Sequence, residues 1–273
     1  MARKEIFGRV ATLVVGTVDV SDLRITFNVT RSRKKSPNIA RISVYNLSRA
    51  RINELRQVTT GTRVLLSAGY KAPIGTSQIF AGELRNANVE RVEADLVFTL
   101  ESGDGDKAYT SGRLNQSFAP GTRMSDVIGR VAGSTGLGRG NLDGLLDKSE
   151  RIEGTGMTVQ GSSIESLDKL LKPRGLSFSV QDGVIQASKE GAPVERTAIL
   201  VNSDTGMIGS PSRGADGIVK VTMPILPEIV PGRVIRIDAE FVTGDFVIER
   251  TSTDGDTADG PWQTAVEGSP YKP

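Results

Sequence analysis

Two clusters of carboxylates and one cluster of cations have residue types and spacings that could do chemistry. Glu101, Asp104 and Asp106 lie close together in the stretch ESGDGD, and Asp254, Asp256 and Asp259 in TDGDTADG. Hard cations take several oxygen ligands, and alternating Asp residues in a Gly-rich loop can supply them. Neither stretch ends in the glutamate that a calcium loop of the helix–loop–helix type requires. An Asp-Gly turn joining two strands accounts for both equally well. The same carboxylates could serve as the acid and base of a glycosidase, but one Trp and four Tyr leave few aromatic platforms for sugar rings. Arg31, Arg33, Lys34 and Lys35 form the only concentrated basic patch, in a loop between two expected strands. Phosphate contact there would give a salt-dependent affinity. No aromatic residues interleave with these charges, as single-strand binding would want. A solvated loop tip or a protein-contact loop is the plainer reading.

Other motifs carry less. The stretch Gly133-Ser134-Thr135-Gly136-Leu137-Gly138-Arg139-Gly140 superficially resembles a phosphate loop. It follows an expected helix instead of a strand and lacks the terminal Gly-Lys-Ser/Thr, so a flexible linker is expected. Trp262, beside Pro261, reads as a packing plug. The chain has no cysteine and no histidine. Disulfides, thiolate nucleophiles, Ser-His-Asp and Cys-His catalysis and HExxH zinc sites therefore cannot be built from it. No catalytic, cofactor-binding or metal-ligating residue is assigned, and no enzymatic activity or cofactor is expected.

The elements that position these residues are mostly strands. A hydrophobic fraction of 37% and a charged fraction of 24% suit an ordinary globular chain with a sizeable core. The 273 residues leave room for two or three domains of roughly 100–200 residues. Lys+Arg of 34 against Asp+Glu of 32 give a net charge of +2, too small an excess for a dedicated nucleic-acid binder. No apolar run reaches the roughly 18 residues of a membrane helix, and residues 1–10 lack the apolar core of a signal peptide. Synthesis and folding in a cytoplasm are expected.

Apolar and polar residues alternate over 23–29 and continue so over 42–45, the period of half-buried strands; 64–70, 79–84 and 96–100 read as further strands, and residues 6–20 as a hairpin broken at Gly16. Ser48 caps an expected short helix over 49–57. Residues 104–120 read as a boundary. Helical spacing then follows from Met124 to Ala132, with Thr122 as N-cap. Ser162-Ser163-Ile164-Glu165 fits a capping box before the stripe Ile164, Leu167, Leu170, Leu171. Asp182-Gly183 between two short apolar runs predicts a type I′ hairpin. Strands return over 198–201, 218–223, 234–237 and 246–248. The fold class expected is mainly β with a small α+β insertion: an N-terminal barrel over 1–105, a middle α+β domain over 106–192 and a C-terminal barrel over 193–273. Two barrels, or one barrel closed by both ends, would both fit.

Three stretches taken in order resemble the baseplate hub proteins of phage tails, the late-control class related to type VI secretion spike hubs. The first is Pro37-Asn38-Ile39-Ala40-Arg41-Ile42-Ser43-Val44-Tyr45-Asn46-Leu47-Ser48, with Ser67-Ala68-Gly69-Tyr70 and Ile79-Phe80-Ala81-Gly82 after it. The second is Ala119-Pro120-Gly121-Thr122, with the capping box and Asp182-Gly183 later. The third is Thr205-Gly206-Met207-Ile208-Gly209-Ser210-Pro211, then Ile229-Val230-Pro231-Gly232-Arg233-Val234, Asp254-Gly255-Asp256 and Trp262.

The resemblance implies two barrel-like domains similar to the tail-tube fold and a homotrimer presenting a pseudo-sixfold ring. It implies partners in the tail tube protein, a central spike protein and other baseplate proteins, in the virion of a contractile tail assembled in the host cytoplasm. DNA would only pass through the lumen at genome ejection, and no membrane insertion is expected. A lumen that lets DNA slide should avoid strong positive charge, so the loop from Arg31 to Lys35 is expected to face a neighbouring protein. The alternatives are a hexameric tube-end or distal tail protein, a carboxylate-based cell-wall hydrolase, and a DNA-binding protein.

Overall fold

A computed structural model of the chain describes residues 8–71, 75–189 and 191–271. Ile6 and Phe7, where the first expected hairpin begins, lie outside the described residues.

Alternation builds the N-terminal portion. In β3 (Ile25–Ser32) every second residue from Ile25 is buried and the others are half-buried. The inward residues of β1 (Arg9–Val15), β4 (Ile39–Tyr45), β5 (Arg63–Tyr70) and β7 (Asp95–Gly103) follow the same rule at most positions. With helix α1 (Arg49–Arg56) they enclose one core around Leu13, Ile42, Leu66, Phe80 and Leu100. Full burial of such a side chain is worth roughly 1.5–3 kcal/mol. β2 (Val18–Asp19) folds back on β1 across Gly16, whose φ is +63°. Ser48 caps α1 by accepting from the Arg51 N–H at 3.3 Å. β6 (Thr76–Val92) runs well past the expected 79–84.

The middle portion is more regular than its sequence suggests. α2 (Asp106–Thr110) and β8 (Arg113–Phe118) occupy the stretch expected to be a boundary. α3 (Met124–Gly133) buries Met124, Val127, Ile128, Val131 and Ala132. Its N-cap is Arg123, not Thr122; the Thr122 hydroxyl donates to the Ala119 carbonyl at 2.7 Å and closes the preceding turn instead. After α4 (Leu142–Leu145), β9 (Met157–Ser162) pairs with β8 and leads into α5 (Ser163–Leu171). Half of the capping box forms: Ser162 accepts from the Glu165 N–H at 3.4 Å. The Glu165 carboxylate does not reach back, because it accepts from Lys35 at 3.1 Å. β10 (Leu176–Gln181) and β11 (Val184–Lys189) pair through Gln181 and Val184, leaving Asp182 and Gly183 as the turn at φ +54° and +79°. Both central residues have the positive φ of a type I′ turn. Leu142, Leu167, Leu171 and Ile185 centre a second core.

The C-terminal strands are β12 (Glu195–Val201), β13 (Ile208–Arg213), β14 (Val219–Pro224), β15 (Arg233–Asp238), β16 (Thr243–Asp256) and β17 (Trp262–Pro270), around a third core that includes Val221, Ile235, Phe246 and Val266. They are not a separate sheet. β16 pairs antiparallel with β3 from Ser32–Arg250 to Thr26–Asp256. One 13-stranded sheet therefore runs β13-β14-β17-β16-β3-β4-β7-β6-β5-β1-β2, with β15 beside β16 and β12 beside β15. Ile225 and Trp262 reach across into the first core. Gly255 makes the crossing possible: a Cβ there would lie 2.1 Å from the Phe27 ring. The fold class is as expected, mainly β with a small α+β insertion, and the two β portions share a backbone ladder. No described helix is long and apolar enough to cross a membrane.

Candidate functional site

The basic loop joins β3 to β4, and three of its four cations are used inside the chain. Arg31 continues the inward face set by Ile25, Phe27 and Val29, so its side chain is buried at the end of the core. Its guanidinium donates to the Asp182 carboxylate, to the Ile79 carbonyl at 3.2 Å and to Gln181 Oε1 at 3.3 Å. Arg33 donates to Glu249 at 2.9 Å on β16, and to Ser188 Oγ and the Ala192 carbonyl at 2.7 Å each. It thus ties together all three portions. Lys35 reaches Asp168 at 2.9 Å and Glu165 at 3.1 Å on α5. Lys34 alone of the four is exposed. The expectation that the whole loop faces a neighbouring protein is therefore corrected. Carboxylates of the chain's own β10–β11 turn, α5 and β16 neutralise it, which also removes most of its appeal to phosphate.

Beneath the loop the Asp182-Gly183 turn is plugged into the N-terminal portion. Buried Asp104 accepts from both turn N–H groups at 2.7 Å, one on each carboxylate oxygen. Asn38 Nδ2 donates to the Val180 carbonyl at 2.7 Å, to Gln181 Oε1 at 3.0 Å and to Asp104 at 3.1 Å. The Asp182 carboxylate also accepts from the Ala81 N–H at 3.0 Å. Burial, seconded by the nearby Asp182 charge, pushes the Asp104 carboxyl up to about 6, against the pull of its N–H donors. The hydrogen-bonding groups of the turn tip thus find partners, the condition under which a polar joint is stable and specific.

The other candidate carboxylates are occupied in similar ways. Asp106 takes a bidentate contact from Arg85 at 2.6 and 2.7 Å, and Glu101 accepts from Arg41 at 3.1 Å and Arg85 at 3.3 Å. Asp254 accepts from Asn28 at 2.7 Å, and Asp256 from Arg24 at 2.6 and 3.2 Å. Burial of Asp256 opposes ionisation, but Arg24 and the Ala258 N–H outweigh it and hold the carboxyl below the usual range. Asp259 is exposed and accepts from the Gly260 N–H at 2.8 Å. Among the described residues no three such groups are placed to hold a metal. These acids clamp β3 to β16 and β6 to α2.

The glycine-rich stretch is not a flexible linker. Gly138 bridges Val184, donating to the Gly183 carbonyl at 2.9 Å and accepting from Ile185 at 2.7 Å. Trp262 is a packing plug: its ring meets Phe27 edge-on at 5.5 Å and Tyr70 at 6.5 Å. What the sequence did not reveal is a cleft of about 1420 Å³ between the two β portions, bordered by Lys34, Arg213, Lys220, Glu249, Arg250 and Glu267. Its walls, residues 30–39 with Arg85 on one side and residues 212–267 on the other, are far apart in sequence, so only tertiary structure brings them together.

In this arrangement the candidate acids and cations serve as joints between the portions, and comparison with known proteins gives the family. A sequence model of the family described as "Baseplate hub gp41" matches residues 10–267. No curated protein matches the chain. Among solved structures, the 43 kDa tail protein of prophage MuSo2 from Shewanella oneidensis superposes with a TM-score of 0.68 at 10% identity, over 96% of this chain and 97% of that one. The E. coli c3393 protein, a type VI secretion component described as similar to T4 tail proteins gp27 and gp5, gives 0.64 at 13% identity, over 95% and 77%. A tail protein from Neisseria meningitidis MC58 gives 0.63 at 10% identity, over 96% of each chain. At these identities the structural likeness establishes the fold, and the family match carries the assignment. The chain belongs to the baseplate hub gp41 family of viral tail structural proteins.

Proposed function

We propose that this hub protein works as a homotrimeric ring in which each subunit contributes two β portions, giving six similar faces around a central channel. One side would accept the sixfold tail tube and the other a threefold central spike, with other baseplate proteins around the rim. DNA passes through the lumen at genome ejection, and the chain catalyses nothing. The observation that carries this reading is the shared sheet: two β portions, each with its own core, are locked edge to edge by the β3–β16 ladder. A rigid pair of such portions, repeated three times, presents six. The organisation follows as 1–105 and 193–273 for the β portions and 106–192 for the α+β insertion, whose separate apolar core supports that division. Cyclic assembly requires heterologous contacts that close on themselves. The protein acts in the tail baseplate of a virion with a contractile tail, is expressed late, and is assembled in the host cytoplasm without entering a membrane.

The test is genetic. Phage lacking this chain should yield heads without tails, because the tube has nothing to nucleate on, and the supplied protein should restore tails. Tailed, infectious particles in its absence would refute the hub reading.

A further inference from the structure

We propose that the cleft between the two β portions receives the β15–β16 turn of a neighbouring copy, Phe241 entering first and Glu240 meeting the cleft's cations. The proposal rests on the ring reading above and names the contact that closes the ring.

The cleft side comes first. Lys34, Arg213 and Arg250 border it, are exposed, and have no ion-pair partner among the described residues. The nearby acids are mostly spoken for: Glu249 by Arg33 and Ser269, Glu267 by Lys220 at 3.4 Å, and Asp216 by the Ile218 N–H at 3.0 Å. Three cations without an ion-pair partner, against Asp216 as the one acid in the same condition, leave a net positive potential on a concave surface, which selects an anionic partner. The interspersed carboxylates would repel a continuous phosphate chain, which favours a short protein segment with one or two acids over nucleic acid. Pro37, Ile39 and Ile218 add apolar lining to the cleft.

The chain itself carries a segment of that chemistry. Asp238 ends β15, and the turn that follows holds Glu240 and Phe241 and no cation. Phe241 is 80% exposed, the most exposed large hydrophobic side chain among the described residues. Neither Asp238 nor Glu240 has an ion pair among the described residues, and both are exposed. An exposed aromatic beside acids has the composition of an interface anchor: the ring fills a pocket and the charges set orientation. The turn sits at the beginning of β16, whereas Glu249 and Arg250 line the cleft near its middle. One copy therefore offers the two surfaces at different places, as a head-to-tail ring contact requires.

Because the chain contains no cysteine, the test uses two single-cysteine variants, Glu240→Cys and Arg250→Cys, purified separately, mixed and oxidised. A disulfide-linked dimer is expected from the mixture and from neither variant alone. Charge reversal gives a second reading: Glu240→Arg and Arg250→Glu should each weaken self-association about tenfold, and the combined variant should regain most of it. A ring mass without the 240–250 disulfide overturns this docking and leaves the ring reading standing. A monomeric mass with no cross-link, even with tube and spike proteins added, overturns both. Salt-dependent duplex DNA binding that disappears in Arg250→Glu makes the cleft a polyanion site and also overturns the proposal.

Discussion

Replacing Arg31 by Met removes the guanidinium while keeping an apolar stem of similar length in the core. The charged hydrogen bond to Asp182 is worth about 1.5–3 kcal/mol, and the one to the Ile79 carbonyl about 1 kcal/mol. The contact to Gln181 Oε1 adds little, since Asn38 still donates to that oxygen. Asp182 keeps the Ala81 N–H and is 29% exposed, so water recovers part of its loss. The expected cost is about 3 kcal/mol, at the low end for breaking a buried ion pair. Lys34→Met should change stability by less than about 0.5 kcal/mol, as befits an exposed side chain with no partner. Lys35→Met, whose ion pairs are partly solvated, should cost under about 1 kcal/mol. Urea unfolding of the three variants gives the order. The Arg31 variant should also exchange its β10–β11 amides faster, because the turn is no longer held. Equal midpoints for Arg31→Met and Lys34→Met would refute the view that this loop is an internal joint.

Three further outcomes follow from the same geometry. The folded-state value of Asp104, about 6, lies above its unfolded value of 3.8. Its contribution is therefore fully present below about pH 4 and lost as pH rises through 6. Between pH 6.5 and 4.5 the wild type should gain about 2 kcal/mol relative to Asp104→Asn, read from urea midpoints; a constant difference would contradict the assignment. Gly255→Ala should destabilise by about 1–3 kcal/mol in thermal unfolding, because the new Cβ forces the Phe27 ring off its position against Trp262. Arg24→Ala should strip Asp256 of its bidentate partner and return its carboxyl towards the usual range, visible as an upward shift in an NMR titration.

Much of the scaffold was legible because its signals are local. Period-2 alternation marks β3 and β4, short apolar runs bounded by polar loops mark β5 and β7, and Asp182-Gly183 fixes a hairpin whose two turn residues need positive φ. Other strands were hidden for identifiable reasons. β8 and β9 are short and hold only two apolar residues each, Leu114 and Phe118, Met157 and Val159, too few to stand out as an alternation. β13 contains Pro211 and lies at the sheet's edge, where proline is tolerated. β17 alternates Trp262, Thr264, Val266 and Gly268 inward, and the threonine and glycine mask its apolar face. The distal half of β6 is largely exposed and carries no burial pattern.

The basic loop shows where local reading stops. Its partners Asp182 and Glu249 lie about 150 and 216 positions away, and no spacing rule connects them. One clue was present: Arg31 falls in register with Ile25, Phe27 and Val29, so the alternation that defined the strand also pointed this cation inward. The capping box failed by half for a related reason. Glu165 found a stronger partner in Lys35 than the N–H of its own cap.

The central claim is the ring, and the most direct measurement is the solution mass of the purified protein with top-view electron images of the same sample. Three chains of 29.1 kDa in a closed ring with an open centre and six similar lobes are predicted. A hexamer would contradict the claim in favour of a tube-end protein, and a chain that stays monomeric even with tube and spike proteins added would contradict it outright.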